Sequence, residues 1–566
     1  MTVSLLSLVC LIAGVRQTGP TDSLAVLKSA QRARETFEAT RRANLPEQPG
    51  GWSGTCGQII GRICYWSDGR GDVDSAPEEP ARIRQARARL LTAFDRAGAA
   101  LPGDEWIAGQ RVRYLLEDGQ PRLAAQVAEQ CRAVAWWCEA LGGLVRHVER
   151  DFAGADSVFA VALADMPEDE RCRWNDISSL LEGELARRYR DLDCAGRAAL
   201  ESRWWWLAQP LYSLTGNDRR TEHFARRAMV RIQQGRRTLY GLFWDDDLRD
   251  VLLRYGWATF WTRDPPTSPL VPSEPRVTGH LASPTFHFAP EARALDDPGS
   301  AKPEDWTFDT PNAREQYAPA YATAFESLDH QAALFRRADS CLVVAAYDLS
   351  NDTLFAQHTV TAALALAADE RTLALSRDSG VVAGARALTT TAPCGPLVLS
   401  LEAVAPAERH VARARYGVTP ARLSPFHPAI SDLLLFDPPD SLPATLDAVV
   451  PHAHGSTRVS VDRKLGVFWE LYGVDPAAGA VAVSLTVARQ GTGWLRRAVE
   501  SLGLAGPRRD VRLEWQEVPQ SAPIAPRTLA IDLSGLAPGR YLLEVAVTPA
   551  GTETVTARRE IRIERR

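Results

Sequence analysis

The chain reads as a multidomain α + β protein, helical in its N-terminal part and built from two β-sandwich modules in its C-terminal part. Three observations carry that expectation. The first is length: 566 residues exceed what one hydrophobic core organises, since chains beyond roughly 250–300 residues divide into domains. The second is periodicity. Apolar residues recur at helical spacing through the first half of the chain and alternate with period two in the last two-fifths. The third is the place of that change, a proline-laden stretch containing DPPTSPLVPSEP and FAPEARALDDPGSAKPED. Proline keeps such a stretch extended. The expected division is 1–20 as a leader, 21–210 helical, 211–263 a joint, 264–312 a linker, 313–440 a first sandwich and 455–566 a second.

Composition is that of an ordinary globular protein, with 45% hydrophobic and 24% charged residues. A net charge of -5 lacks the basic excess of a general nucleic-acid binder, so no nucleic-acid partner is expected. Met1–Val15 (MTVSLLSLVCLIAGV) is too short for a bilayer span, which takes about 20 apolar residues. It matches the apolar region of a secretory signal peptide, with Ile12 and Gly14 near the cleavage point, although the charged leader region is missing. A buried N-terminal helix is the alternative. Cys10 follows Val9, where lipidation wants a small residue. With no later apolar segment of spanning length, the chain is expected to be exported, periplasmic or extracellular, with another envelope protein as partner.

Eight cysteines remain after Cys10: Cys56, Cys64, Cys131, Cys138, Cys172, Cys194, Cys341 and Cys394. An even set in an exported chain implies disulfides. Order along the chain suggests Cys56–Cys64, Cys131–Cys138, Cys172–Cys194 and Cys341–Cys394, although spacing alone does not fix connectivity. In one straight helix Cys131 and Cys138 are separated by a rise of about 10 Å, too far for a bridge. Their pairing therefore requires a break near Ala135–Trp137, or other partners. Zinc is the rival reading, but no CxxC pair occurs. Neither a metal nor a cofactor is expected.

Asp22–Asn44 has Leu24, Leu27, Ala30 and Phe37 at helical spacing and ends at Leu45-Pro46. The Gly/Trp-rich loop Gly50–Asp72 reads as a disulfide-pinned connector. Glu78–Ala97 is a second helix, with Ile83, Ala86, Leu90 and Phe94 on one side. Tyr114, Gly119, Ala124, Ala128 and Cys131, then Gly143, Ala155, Phe159, Ala162 and Pro167, follow the order of two helical hairpins. They resemble tetratricopeptide repeats, in which small residues let two helices approach. The step from Ala124 to Ala155 is shorter than that repeat's usual period of about 34, and two units need neighbouring helices as caps. Arg171–Trp206 continues in helix. Trp204, Trp205 and Trp206 cover most of a helix circumference, the mark of a buried helix. The competing reading is an aromatic binding platform, in which Trp136 and Trp137 are further candidates.

The stretch Asn217–Trp261 joins the two halves. Asn217 leads an amphipathic segment containing Glu222-His223-Phe224 and Arg226-Arg227. Phe243-Trp244-Asp245-Asp246-Asp247 follows, and Arg254-Tyr255-Gly256 ends nine residues beyond Asp247. This resembles the bacterial GWxTD family, whose members carry an Asn-led helix, Gly-Trp-x-Thr-Asp and an Arg-Tyr-Gly in the same register. Asn217, His223, Arg226, Trp244, Asp247, Arg254, Tyr255 and Gly256 carry the likeness; Phe243 stands for the glycine and Asp246 for the threonine. The resemblance implies an exported or cell-envelope protein and supplies no catalytic residues. Asp245–Asp247 admits three readings: a cation site, which lacks the spaced ligands of a calcium loop; a helix N-cap cluster; or a turn paired with Arg249 and Arg254. His223 has no visible nucleophile to serve.

The segment HLASPTFHFAP, with His280, Phe286 and His287, reads as a strip docked through its aromatics rather than a metal pair. Tyr317–Phe335 reads as a short helix or an extended lead-in. SCLVVAAYDL, LFAQHTVTAALALAA, RTLALSR, VVAGARALTTTA, LVLSLEAVA and RHVARARYGV are then β-prone runs parted by turns. HVARARYGV and ISDLLLF are also similar to the C-terminal half of the GWxTD family. From about Val461, GVFWELYGV, AVAVSLTVAR, VRLEWQEV, RTLAIDLSGL, GRYLLEVAVT and TARREIRIE form a second immunoglobulin-like set. WLRRAVESLGL is expected as a helix on it. His452 and His454 lie in a loop and need a third ligand to chelate.

G-x-S-x-G, H-E-x-x-H and Walker loops are all missing from the sequence. The function expected is therefore a non-enzymatic interaction or envelope-scaffold protein. The alternative is a hydrolase with a cleft near the Asn217–Trp261 stretch.

Overall fold

The computed structural model describes residues 20–47, 58–65, 76–264, 277–308, 313–420, 428–474, 479–490, 511–518, 523–549 and 553–565. The leader, Cys56, the side chain of Cys64 and the expected WLRRAVESLGL helix lie outside the described residues. The fold is mixed, with helices in the N-terminal half and strands in the C-terminal half, and it divides into two compact units.

The first unit comprises 1–181 and 216–282. It begins with α1 (Pro20–Ala43), the hairpin β1 (Gln58–Ile60) and β2 (Ile63–Tyr65), α2 (Ala81–Ala100) and α3 (Glu105–Glu117). Then come α4 (Pro121–Glu129), α5 (Ala135–Val148), α6 (Phe152–Asp165) and α7 (Glu168–Asn175). The chain between, α8 (Gly183–Arg190) and α9 (Cys194–Leu207), belongs to the second unit. The first unit resumes with α10 (Asp218–Gln233), α11 (Asp246–Tyr255) and the hairpin β3 (Phe260–Arg263) and β4 (Val277–His280).

Local chemistry sets several helix starts. Asp104, Asp151 and Asn217 each accept a backbone N–H in the first turn of α3, α6 and α10, which satisfies a donor the helix leaves open. Pro121 stands at the start of α4, where its missing N–H costs nothing. Helices α3–α6 and α10 share one core that includes Ala124, Leu141, Phe159, Phe224 and Ile232. A Cβ at Gly143 would lie 2.7 Å from the Phe159 ring, so α5 and α6 approach too closely there for any larger residue. A second core joins α1, α2 and α3 through Phe37, Phe94 and Tyr114. Cys131 and Cys138 are bridged, with Cα atoms 5.6 Å apart. The helix break that permits this spans 130–134, between α4 and α5, so Cys131 lies outside the helix that holds Cys138.

The second unit comprises 182–215 and 283–566. After α12 (Ala292–Asp296) come β5 (Ala324–Ser327), β6 (His330–Arg337), β7 (Ser340–Tyr347), β8 (Thr359–Ala367), β9 (Leu373–Val381), β10 (Arg386–Pro393), β11 (Leu397–Ala405) and β12 (His410–Val418). They form a three-stranded sheet, β10-β7-β6, and a five-stranded sheet, β5-β12-β11-β8-β9. Both bury side chains in a common core that includes Val343, Tyr347, Leu364, Leu399 and Leu401. The Cys341–Cys394 disulfide, Cα atoms 5.0 Å apart, ties β7 to the end of β10.

The second pair of sheets uses β13 (Ala429–Ile430), β14 (Leu434–Phe436), β15 (Arg458–Ser460), β16 (Lys464–Tyr472), β17 (Val481–Arg489), β18 (Val511–Glu517), β19 (Ile524–Asp532), β20 (Gly539–Thr548) and β21 (Val555–Glu564), with α13 (Leu446–Val449) after β14. One sheet runs β13-β16-β14 with β19 also on β16, the other β15-β21-β20-β17-β18. Val467, Trp469, Leu485 and Leu543 lie in their shared core. Cys172 and Cys194 each stand in a disulfide. No helix among the described residues is long and apolar enough to cross a membrane.

One open alternative is decided and two expectations are corrected. Residues 317–335 take the extended alternative, holding β5 and the start of β6; Gln331, Ala333 and Phe335 are buried at every second position, a period-two face. The proline-rich stretch is not merely extended: β4 pairs with β3, and Phe288 and Trp306 are buried. The helical part does not run unbroken to residue 210, because α8 and α9 cluster with the strand-built unit. Two buried arginines of β12 account for this. Arg415 donates to the carbonyls of Leu207 (3.1 Å) and Gln209 (2.6 Å), and Arg413 to that of Pro210 (2.6 Å). Glu402 of β11 accepts the N–H groups of Tyr212 (2.8 Å) and Ser213 (2.9 Å).

Candidate functional site

Helix α10 buries an unusual run of polar residues, Asp218, Arg219, Thr221, Glu222, His223 and Arg226. Buried charge is tolerated only when paired and hydrogen-bonded, and partners are present. Arg226 Nε donates to Glu222 Oε1 at 2.7 Å, one helical turn away. Its Nη1 reaches the Leu253 carbonyl at 3.0 Å, near the C-terminus of α11, where the helix dipole favours a cation. The other Glu222 oxygen lies 2.6 Å from His147 Nε2, and His147 Nδ1 is 2.9 Å from the Thr221 hydroxyl. Burial alone would raise the Glu222 carboxyl, but Arg226 and His147 hold it well below the usual carboxylate range. His223 Nε2 lies 3.1 Å from the Trp174 carbonyl. Burial, then Arg227 and Arg219, push the His223 imidazole well below its ordinary value.

Helix α11 makes the other half of the joint. Asp247 accepts the Arg62 backbone N–H at 2.9 Å and its Nε and Nη2 at 2.6 Å each, which fastens the β1–β2 hairpin to α11. Those bonds from Arg62, more than offsetting desolvation, hold the Asp247 carboxyl well below its usual range. Asp245 accepts the N–H of Asp246 and caps α11, so the acidic run serves a helix start. Arg254 donates to Gln58 Oε1 at 2.9 Å, to Asp250 at 3.3 Å and to the Tyr255 hydroxyl. Tyr255 in turn donates to Gln58 Oε1 at 2.7 Å. Gly256 ends α11 at φ +94°, a conformation side chains rarely adopt; a Cβ there would also approach Arg226 Nη2 to 3.4 Å. Asn217, His223, Arg226, Asp247, Arg254, Tyr255 and Gly256 are thus engaged in caps, turns and interior pairs.

Trp244, and with it Gly256, lines a cavity of about 290 Å³ in the same unit. Leu248, Val251, Leu252, Gly256 and Trp257 form one wall with it, and Met229, Tyr240 and Trp261 contribute others. Arg34 and Glu38 of α1 and Arg113 and Glu117 of α3 make a charged floor. Arg113 Nε donates to Glu117 Oε1 at 2.8 Å, and Arg41 Nη1 to Glu117 Oε2 at 2.9 Å. The Tyr114 hydroxyl donates to Glu38 Oε1 at 2.5 Å. Burial would raise Glu117, but Arg113 and Arg41 bring its carboxyl down to about 2. Burial and the Glu38 charge push the Tyr114 phenol up.

The floor residues were not among the sequence candidates. Their signal is that Ala30, Arg34, Phe37 and Arg41 are all buried at steps of four, three and four, so two arginines occupy the core stripe of α1. The tryptophan candidates lie elsewhere. Trp137, Trp204, Trp205 and Trp206 are buried and offer no open platform. Trp137 Nε1 donates to the Glu105 carbonyl at 3.0 Å, and Trp136 is covered by the Arg231 guanidinium 4.6 Å from its ring. Among the described residues no three His, Cys, Asp or Glu side chains are grouped to hold a metal. His280 stacks on Phe260 and lies 2.8 Å from the Thr262 hydroxyl, His287 lies 3.1 Å from Glu315, and His454 lies 3.1 Å from Asp437.

No family model matches the chain, and no curated protein matches it. Among solved structures, a calcium-binding mutant of Bacteroides uniformis beta-glucuronidase 2 is similar at 8% identity and a TM-score of 0.15. A Bacteroides uniformis beta-glucuronidase is similar at 7% identity and the same TM-score of 0.15. In each case 39% of this chain is covered, and the chain spans only about a quarter of the other protein, 26%. A likeness this partial carries no argument about function.

Proposed function

We propose that this chain is an exported, non-enzymatic binding protein of the cell envelope, a diverged GWxTD-type chain. In this reading the helical unit, with tetratricopeptide-like hairpins, holds a ligand cavity, and the two immunoglobulin-like sandwiches serve as interaction modules for another envelope protein. One observation supports it above the others: beside the buried pairs of the motif helices lies a space walled by Trp244, Trp257 and Trp261. Apolar aromatic walls with a few placed polar groups are the usual form of a binding pocket. Bridged cysteines agree with an oxidising compartment.

A hydrolase is the second reading, and two carboxylates, Glu38 and Glu117, in one cavity favour it. Against it, a carboxyl brought down to about 2 by two guanidiniums stays ionised at neutral pH and donates no proton. The test combines affinity capture from envelope extract with an assay on chromogenic esters, glycosides and peptides. Expected are a saturable partner and no turnover above that of the Glu117→Gln variant. Turnover that Glu117→Gln abolishes would overturn the reading.

A further inference from the structure

We infer that the cavity takes a small neutral aromatic molecule, of one or two rings and without a charged head. The inference rests on the binding reading above and specifies its ligand. The charges that line the cavity balance, Arg34 and Arg113 against Glu38 and Glu117. Each is also engaged within the protein. Arg113 donates to Glu117 at 2.8 Å, Arg34 donates to the Arg237 carbonyl at 3.4 Å, and Glu38 accepts the Tyr114 hydroxyl. Arg34 Nε, Arg113 Nη1 and Glu38 Oε2 have no hydrogen-bond partner among the described residues, but practically none of their surface is accessible, so an entering molecule does not reach them. The lining hydroxyls are engaged too. Thr238 donates to the Leu242 carbonyl at 3.1 Å, Thr259 to the His280 carbonyl at 3.0 Å, and Tyr240 hydrogen-bonds the Gly279 backbone. Apart from Gln233 and the indole N–H groups, the side-chain polar groups of the lining thus have partners already. A charged head entering there gives up its hydration and gains no matching bond.

What the lining leaves open is apolar. Trp244, Val251, Trp257 and Trp261 are each only partly buried, and a ligand that covers them removes apolar surface from water. Three indoles select for a flat ring, because aromatic pairs gain from edge-to-face or offset contact beyond the area they bury. Tyr240 and Trp261 already stand edge to face, with ring centroids 5.0 Å apart. The volume of about 290 Å³ sits at the low end for ligand pockets, about 300–1,000 Å³, and apolar cavities of about 150 Å³ take up benzene. That suits one or two rings rather than a peptide or a two-chain lipid.

The test is calorimetric titration of the full chain with toluene, benzoate and benzylammonium, which share a ring and differ in charge. Toluene should bind one to one, about tenfold or more tighter than either ion, because each ion loses hydration without a partner. Benzyl alcohol should bind about threefold or more tighter than cyclohexylmethanol, which has the same head on a ring that is not flat. Val251→Trp, which fills the cavity from α11, should abolish toluene binding while the circular dichroism stays unchanged. The two comparisons on the wild-type chain hold whether or not that variant folds. Benzoate or benzylammonium binding as tightly as toluene, cyclohexylmethanol binding as tightly as benzyl alcohol, or toluene binding that survives Val251→Trp overturns the inference. In the first two cases the cavity still binds ligands and the wider reading stands. No heat with any probe at either of two temperatures overturns the ligand assignment, and no partner in the capture experiment as well removes the wider reading with it.

Discussion

Arg226 on α10 donates to the Leu253 carbonyl at the end of α11 at 3.0 Å while its Nε holds Glu222 at 2.7 Å. One buried guanidinium therefore ties two helices and neutralises a buried carboxylate. Replacing Arg226 by Met removes both links and leaves Glu222 with His147 alone. Breaking one partner of a buried pair costs about 3–5 kcal/mol. Chemical denaturation should show a loss of that order in the transition of the helical unit; a loss below about 1 kcal/mol would place the pair among weak surface bridges.

Acid should loosen the same joint in two steps. The His223 imidazole is depressed by burial and by Arg227 and Arg219. Its contribution is present above the unfolded value, about 6.5, and is lost as pH falls below it. Glu222, depressed by Arg226 and His147 against the effect of burial, contributes above its unfolded value of about 4.3 and is lost as pH drops further. His223→Gln should flatten the stability decline between about pH 6.5 and pH 5 by up to about 1.4 kcal/mol per pH unit. An unchanged slope in denaturation midpoints would contradict a neutral buried His223.

In the strand-built unit, Glu402 accepts two backbone N–H groups, from Tyr212 and Ser213, and lies 3.4 Å from Arg415. The Arg415 guanidinium stacks 3.8 Å from the Tyr212 ring. Glu402→Ala leaves Arg415 without its carboxylate and two N–H groups without an acceptor. Limited proteolysis should then cut within 208–215, where the wild-type chain should resist; equal susceptibility of the two would show that Glu402 does not hold this segment.

The two described bridges should differ in weight. Cys341–Cys394 closes a separation of 53 residues and Cys131–Cys138 one of 7. In the chain-entropy account the longer loop contributes about 4 kcal/mol and the shorter about 2 kcal/mol. Paired Cys→Ala variants measured by urea denaturation should follow that order, and thiol titration of the denatured wild type should find these four cysteines blocked. Free thiols at all four would contradict an oxidising compartment.

The strand-built half was legible because its signal is local. Twelve expected β-prone runs, from SCLVVAAYDL to TARREIRIE, all contain strands in sheets, since a period-two face reads directly from neighbouring residues. Residues 182–215 are not legible for the opposite reason: α8 and α9 have helical periodicity, but Arg413, Arg415 and Glu402, 190 to 206 residues from their partners, decide which core they join. Cys131–Cys138 was read correctly as a pair, with the helix break a few residues earlier than proposed. Of the motif stretch, Trp244 and Gly256 line the cavity. The floor stayed hidden because Arg34 and Arg113 look like surface arginines until α1 and α3 are placed side by side.

Hydrogen exchange on the wild-type chain and on Val251→Trp, which fills the cavity from α11, tests the central claim most directly. The cavity assignment predicts that the substitution changes protection chiefly in the segments that line it, α1, α3, α10, α11 and residues 238–261. A change centred on Trp204–Trp206, or an exchange pattern that the substitution leaves unchanged, would contradict it.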